Sequence, residues 1–350
     1  MVAPVNHILP VALIRRQRNL PLPGKVLVRM GQKVNATDPV AEAQLPGQHA
    51  LFNIRRLLGG GRGGDQADRF IEVKVGTRLM KGDVIAEAGG LFPRIVRAPA
   101  NGQVVAIVSG QVLLEMEPRI EQIYAGLNGT VTETTPDLGC TIEASGALIQ
   151  GVWGNGQVGL GLLLALAKEP LDEVTRASLD VSMRGAVVLG GYCNKVDAIE
   201  AGNELPLRGL ILGSMSADLI PAARAARYPI ILTEGFGPIP MNSAAFKLLS
   251  TSERRDLCVN AIYDPVKGER PEIIIPLPAT GQLPMELISF KPGQMVHIWG
   301  APYAGKIGTL LQVRPGLSAL PNGVRAAAAD VRLENNEPVV VPLANLDVIE

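Results

Sequence analysis

Short apolar runs separated by glycine-bearing loops set the pattern in the middle of this chain. Ala186–Leu189, Leu210–Leu212, Ile230–Leu232 and Leu257–Ile262 are each too short for a helix and read as buried strands. The first three run into Gly190-Gly191-Tyr192-Cys193-Asn194, Gly213-Ser214-Met215-Ser216 and Thr233-Glu234-Gly235-Phe236-Gly237, each followed by a stretch of helical period. This alternation predicts a central parallel α/β sheet, Rossmann-like or flavodoxin-like, with the loops at the carboxyl ends of the strands as the place for a ligand.

The flanks carry a different pattern. Residues 1–22 contain prolines and the cluster Arg15-Arg16-Gln17-Arg18, and predict an extended arm. Residues 23–120 alternate Val and Ile with polar positions in short strands. The frame V-x-x-G-x-x-[VL]-x-x-[TG]-D-x-[VI]-A-E-A occurs at Val28–Ala43 and again at Val73–Ala88. Leu57–Arg69 is so rich in glycine that it predicts a mobile insertion. Residues 121–283 form the α/β region behind a β lead-in, with Ile273–Ile275 as a last edge strand in a proline-rich tail. Residues 284–350 return to short alternating strands bent at Gly305 and Gly308. The fold class expected is multi-domain, β then α/β then β.

With 350 residues the chain is long enough for about two or three cores. Its 33 basic and 33 acidic residues argue against a strongly basic nucleic-acid binder over the whole chain. The balance is uneven: residues 1–69 hold ten Lys/Arg against four Asp/Glu. The arginine cluster of that segment is expected to meet phosphates or an acidic protein. Cys140, Cys193 and Cys258 follow no metal-ligand spacing, so no metal site is expected. No run approaches the ~20 apolar residues of a membrane span, and no secretory signal is visible, so a cytoplasmic location is expected.

Three stretches resemble known families. Gly24–Glu117, with the repeated frame and Ala98-Pro99-Ala100-Asn101-Gly102, resembles the barrel-sandwich hybrid of biotinyl and lipoyl carrier domains. The position of the modified lysine falls near Leu91, so the resemblance implies a structural or docking module, with no biotin or lipoate. From Phe290, the residues Gly293, Val296, Ile298, Gly300–Tyr303, Gly305, Gly308 and Val313 resemble the KOW motif of ribosomal and NusG-type transcription proteins. That resemblance implies an SH3-like barrel that binds RNA or a protein of transcription or translation. Residues 290–350 hold five cations and five anions, which favours a protein partner over RNA. Trp299 and Tyr303, with Lys306, are the residues to stack a base or a proline-rich peptide. Arg62, in Arg62-Gly63-Gly64, is similar to the arginine-glycine segments of RNA-binding proteins.

The third stretch is Gly154, Gly156 and Gly159, a G-x-G-x-x-G resembling the nucleotide-binding turn of medium-chain dehydrogenases. A strand precedes it and a helix is predicted over Leu160–Lys168. The acid expected at the end of the next strand is missing, since Ala186–Leu189 ends in Gly190-Gly191-Tyr192. A glycine packing turn is therefore the first reading, and a nucleotide the alternative cofactor. Ser214 or Ser216 is expected to cap a helix from about Ala217. Glu234 stands at a strand end where an acid or base acts, with no histidine near it in sequence, since His7, His49 and His297 lie outside this region. Cys193, close to Lys195, is the one thiol whose pKa a neighbour is placed to lower. With no complete triad, the pattern points to a binding or scaffold protein that docks a protein or ribonucleoprotein partner in transcription or translation. The alternatives are a nucleotide-binding enzyme or regulator, and an RNA-binding factor.

Overall fold

A computed structural model describes residues 2–58, 67–89, 93–266, 268–278, 281–285, 287–320 and 322–350. The chain is mostly β, in several sheets, and divides into two compact units. The first holds Met1–Asn19, Val26–Val40 and Tyr124–Glu350; the second holds Leu20–Lys25 and Ala41–Ile123.

In the second unit four strands pair in the order His49–Asn53, Gln111–Met116, Gly102–Val108, Arg78–Leu79. The Ser109-Gly110 turn has positive φ at both positions, 50° and 72°, the twist that suits a two-residue hairpin. A separate hairpin pairs Val84–Ala88 with Arg94–Arg97. Ile54, Ile85, Val104, Val112 and Leu114 fill the core of this unit.

The repeated frame folds into the same local turns twice. Gly31 and Gly76 take φ of 81° and 88°. Asp38 accepts from the backbone N–H of Asn35, and Asp83 from that of Met80, each at 2.8 Å. Val28–Val40 of the first copy belongs to the first unit, whereas the second copy lies in the second.

The first unit is built on a 12-stranded mixed sheet. Its spine runs Trp153–Gly154, Ile230–Phe236, Gly209–Met215, Val187–Leu189, Val158–Ala165, Asp256–Asn260, Glu272–Pro276, Gly139–Gln150, Gly129–Thr135, Lys33–Val34. Leu163–Ala165, Val187–Leu189, Gly209–Met215 and Ile230–Phe236 are parallel, as the first three apolar runs predict. The fourth run is different: Asp256–Asn260 lies antiparallel to Val158–Leu162. The helix Ser243–Ser250 returns the chain, and the sheet grows on that side by antiparallel strands.

One expectation is overturned here. The helix expected over Leu160–Lys168 is the strand Val158–Ala165. Gly159 and Gly161 disfavour a helix start, and the run Leu160–Leu164 has a strand on each side, so it reads as an unbroken apolar segment. Residues 1–22, expected as an extended arm, are extended here and paired into sheets. Ile8–Asn19 is a long strand paired with Gly139–Gln150, and Val5–Asn6 lies parallel to Leu346–Ile349.

The C-terminal residues form a further sheet of the same unit. Its order is Val5–Asn6, Leu346–Ile349, Met295–Ile298, Ile307–Val313, Ala328–Leu333, Pro338–Pro342. Val296, Ile298, Leu310, Val331, Val341, Leu346 and Val348 are its core. Among the described residues no helix is long and apolar enough to cross a membrane.

Candidate functional site

The carboxyl ends of the parallel strands are where such a sheet holds a ligand. Here the chain fills that space itself. After the strand Ile230–Phe236 the backbone turns at Gly237 (φ 102°) and folds back over its neighbour. Gly237 N–H donates to Met215 O at 3.0 Å. A Cβ on Gly213 would meet Met241 N at 2.7 Å, so only glycine allows this approach. Ser214, fully buried, donates to Ile239 O at 2.7 Å and accepts from Ile239 N–H at 3.2 Å. The helix-capping role expected of Ser214 is therefore not taken. Ser216 stands at the N-cap position of Ala217–Leu219, but its hydroxyl bonds the Asp218 carboxylate and makes no cap bond.

Glu234 is the buried acid of this region. Its Oε1 accepts from Asn242 N–H at 3.0 Å and from Asn242 Nδ2 at 2.7 Å. Asn242 in turn caps the helix Ser243–Ser250 by accepting from Ala245 N–H. Glu234 Oε2 lies 2.6 Å from His297 Nε2, on the C-terminal strand Met295–Ile298. Sequence spacing left Glu234 without a histidine; the fold supplies one from 63 residues away. With the carboxylate accepting, Nε2 carries the proton, and the buried Nδ1 has no partner. The His297 ring meets Trp299 edge-on, with centroids 4.2 Å apart. The following turn closes over the same place: a Cβ on Gly305 (φ 80°) would lie 2.8 Å from Pro240 O.

Both Glu234 and His297 side chains are shut off, at 1% and 0% exposure. A general acid or base must reach a substrate proton. With the side chains this closed off, the pair ties the strand end to the C-terminal sheet.

Beside it lies an open groove of about 520 Å³ lined by Val152, Glu234, Tyr263, Arg270, Trp299 and Asp347, among others. Arg270 is tied to Gly151 O, Val5 O and Asn6 Oδ1, and burial lowers its pKa. Of the residues expected to meet a partner, Trp299 lines this groove. Tyr303 instead packs on the C-terminal core, with Lys306 Nζ 5.5 Å above its ring. Arg62 lies outside the described residues.

The glycine turn is a packing device. A Cβ at Gly154 would sit 2.3 Å from Ala261 O, and one at Gly159 would sit 2.1 Å from Arg208 O. Gly156 supplies the turn, with φ 87°. A strand and not a helix follows, so no helix N-terminus faces the turn to receive a pyrophosphate.

The remaining candidates are occupied by the protein. Cys193 is buried, its Sγ is 3.6 Å from Lys195 O, and burial raises its pKa, the opposite of activation by Lys195. The arginine cluster meets internal partners rather than external anions. Arg15 pairs with Glu143, Arg16 grips the buried Glu272 through Nε and Nη2, and Arg18 Nε donates to Ala125 O. Burial alone would raise the Glu272 pKa, but Arg16 outweighs it and the net shift is downward. Among the described residues no group of three or more His, Cys, Asp or Glu is placed to hold a metal ion. Compared with protein-family models and with curated proteins, the chain matches none.

Proposed function

We propose that this chain is a binding or scaffold protein that docks a protein or ribonucleoprotein partner of transcription or translation in the cytoplasm. In this reading the N-terminal β region is a barrel-sandwich module without its lysine. The parallel sheet is a Rossmann-like or flavodoxin-like body, and residues 284–350 are an SH3-like barrel of KOW type. The observation that supports it is the state of Glu234. Glu234, at a parallel strand end, is bound on both oxygens by Asn242 and His297, and its side chain is only 1% exposed. Trp299, half-exposed in the groove next to that pair, remains available for a partner's apolar side chain.

A native pull-down with the full chain tests the reading, comparing wild type with Trp299→Ala. A stable protein partner that is retained by wild type and lost from the variant supports docking through this face. Thermal unfolding in excess NAD, FAD or ATP is the counter-test. A melting temperature that rises with nucleotide concentration would replace docking with nucleotide binding.

A further inference from the structure

The second unit carries an arginine-rich corner. The helix Ile54–Leu57 buries Ile54 and leaves Arg55 and Arg56 exposed, and Asn53 Oδ1 caps it by accepting from Arg56 N–H. The turn Ala67–Phe70 packs against this helix and against the strand Val84–Ala88. Asp68 Oδ1 pins the turn by accepting from Gly110 N–H at 2.7 Å. Asp68 keeps its negative charge there, and Arg69 beside it is exposed, so the corner holds one anion against four arginines. From the hairpin strand Arg94–Arg97, Arg94 Nη1 reaches Leu58 O at 3.3 Å, which brings its guanidinium to the end of the same helix. Four arginines thus stand on adjoining elements of one corner. Arg55, Arg56 and Arg69 make no ion pair or side-chain hydrogen bond among the described residues, and Arg94 has only a carbonyl. Phe70 and Leu57 are exposed at the same corner, at 40% and 51%.

We infer that this corner binds the phosphate backbone of a single-stranded nucleic acid. All four cations are arginines, whose planar forks match phosphate oxygens in pairs. Unpaired surface charge of one sign repels itself and is relieved by an anionic polymer. An exposed Phe beside such a stripe gives a base a face to stack on. A helix of four residues is too short to read a duplex groove, which favours a single strand over a double one. The corner belongs to the second unit and the groove at Trp299 to the first, and the inference does not rest on the docking role proposed for residues 284–350.

The test is fluorescence anisotropy of the full chain with labelled 12-nucleotide oligouridylate and oligodeoxythymidylate, titrated between about 50 and 200 mM salt. Binding is expected to weaken with a log–log slope of about −2 to −3, the value for roughly three or four single-strand phosphate contacts. The triple variant Arg55→Gln, Arg56→Gln, Arg69→Gln should lose about tenfold or more in affinity and flatten the slope, with its melting temperature little changed. Phe70→Leu should weaken binding by about fivefold or more while leaving the slope alone. Preference for one oligonucleotide over the other assigns the polymer as RNA or DNA. The inference is overturned by absence of binding at low salt, by a triple variant that binds normally, or by polyglutamate competing as well as the oligonucleotides, which would assign the corner to an acidic protein.

Discussion

His297 Nε2 lies 2.6 Å from Glu234 Oε2, and neither side chain reaches solvent. This contact joins the carboxyl end of a parallel strand to a strand of the C-terminal sheet. A buried carboxylate is costly unless it is hydrogen-bonded and paired. Asn242 and His297 supply both conditions, and Asn242 passes the constraint on to the helix Ser243–Ser250. The residue that most resembles a catalytic acid is therefore a fastening between two sheets.

The glycine turn makes a steric prediction. Gly159→Ala places its Cβ 2.1 Å from Arg208 O, and is expected to cost about 2–3 kcal/mol by overpacking. Gly156→Ala meets nothing within 4 Å and bears only the strain of φ 87°, about 1–2 kcal/mol. Urea unfolding of the two variants checks the order. Equal costs would contradict the packing role of Gly159.

Arg15 and Arg16 are adjacent but point to opposite faces of one strand. Arg16→Met strands the buried Glu272 carboxylate and is expected to cost about 3–5 kcal/mol. Arg15→Met removes an exposed cation from a partly buried Glu143 and is expected to cost less than about 1 kcal/mol. Chemical denaturation of both variants separates the two roles. Similar small losses would mean that Arg16 is not the counterion of Glu272.

Acid should weaken the fold before the carboxylates titrate. Burial, with help from Arg16 and Arg270 and against the pull of Glu272, lowers the His7 pKa to about 4. Glu350 also faces the ring, at 3.8 Å. The unfolded chain takes up this proton near pH 6.5, so between about 6.5 and 4 the unfolded state binds more protons than the native one. Stability then falls as pH falls through that window, by up to about 3 kcal/mol, and His7 adds nothing further above or below it. Unfolding free energies at pH 7, 5.5 and 4.5 for wild type and His7→Leu check this: the variant should show a flatter profile. A wild-type profile already flat across the window would contradict the burial of a neutral His7.

What was legible in the sequence was local. The three parallel runs, their glycine loops, the bend at Gly305 and the duplicated frame all depend on residues a few positions apart, and they appear in the structure; Gly308 lies instead within the strand Ile307–Val313, where a Cβ would meet Arg332 O at 2.8 Å. The pairing of Ile8–Asn19 was not legible, because Arg16 and Arg18 stand in register with the buried Ala12 and Ile14, and a charged position on a buried face looks like solvent. The partner that permits it, Glu272, is 256 residues away. Leu160–Leu164 carried no alternation because both of its neighbours are strands. His297 next to Glu234 needed the C-terminal sheet to be placed first. The period-2 spacing of Ala12, Ile14, Arg16 and Arg18 was the one signal of the N-terminal strand available in advance.

The most direct test of the central claim is a double-mutant cycle between Glu234→Gln and His297→Phe, read by equilibrium unfolding of the full chain. If the pair fastens the parallel strand end to the C-terminal sheet, the two substitutions are coupled by about 1 kcal/mol or more, and residues of both sheets unfold in one transition. Costs that add to within about 0.5 kcal/mol, with the C-terminal sheet melting separately, would contradict it.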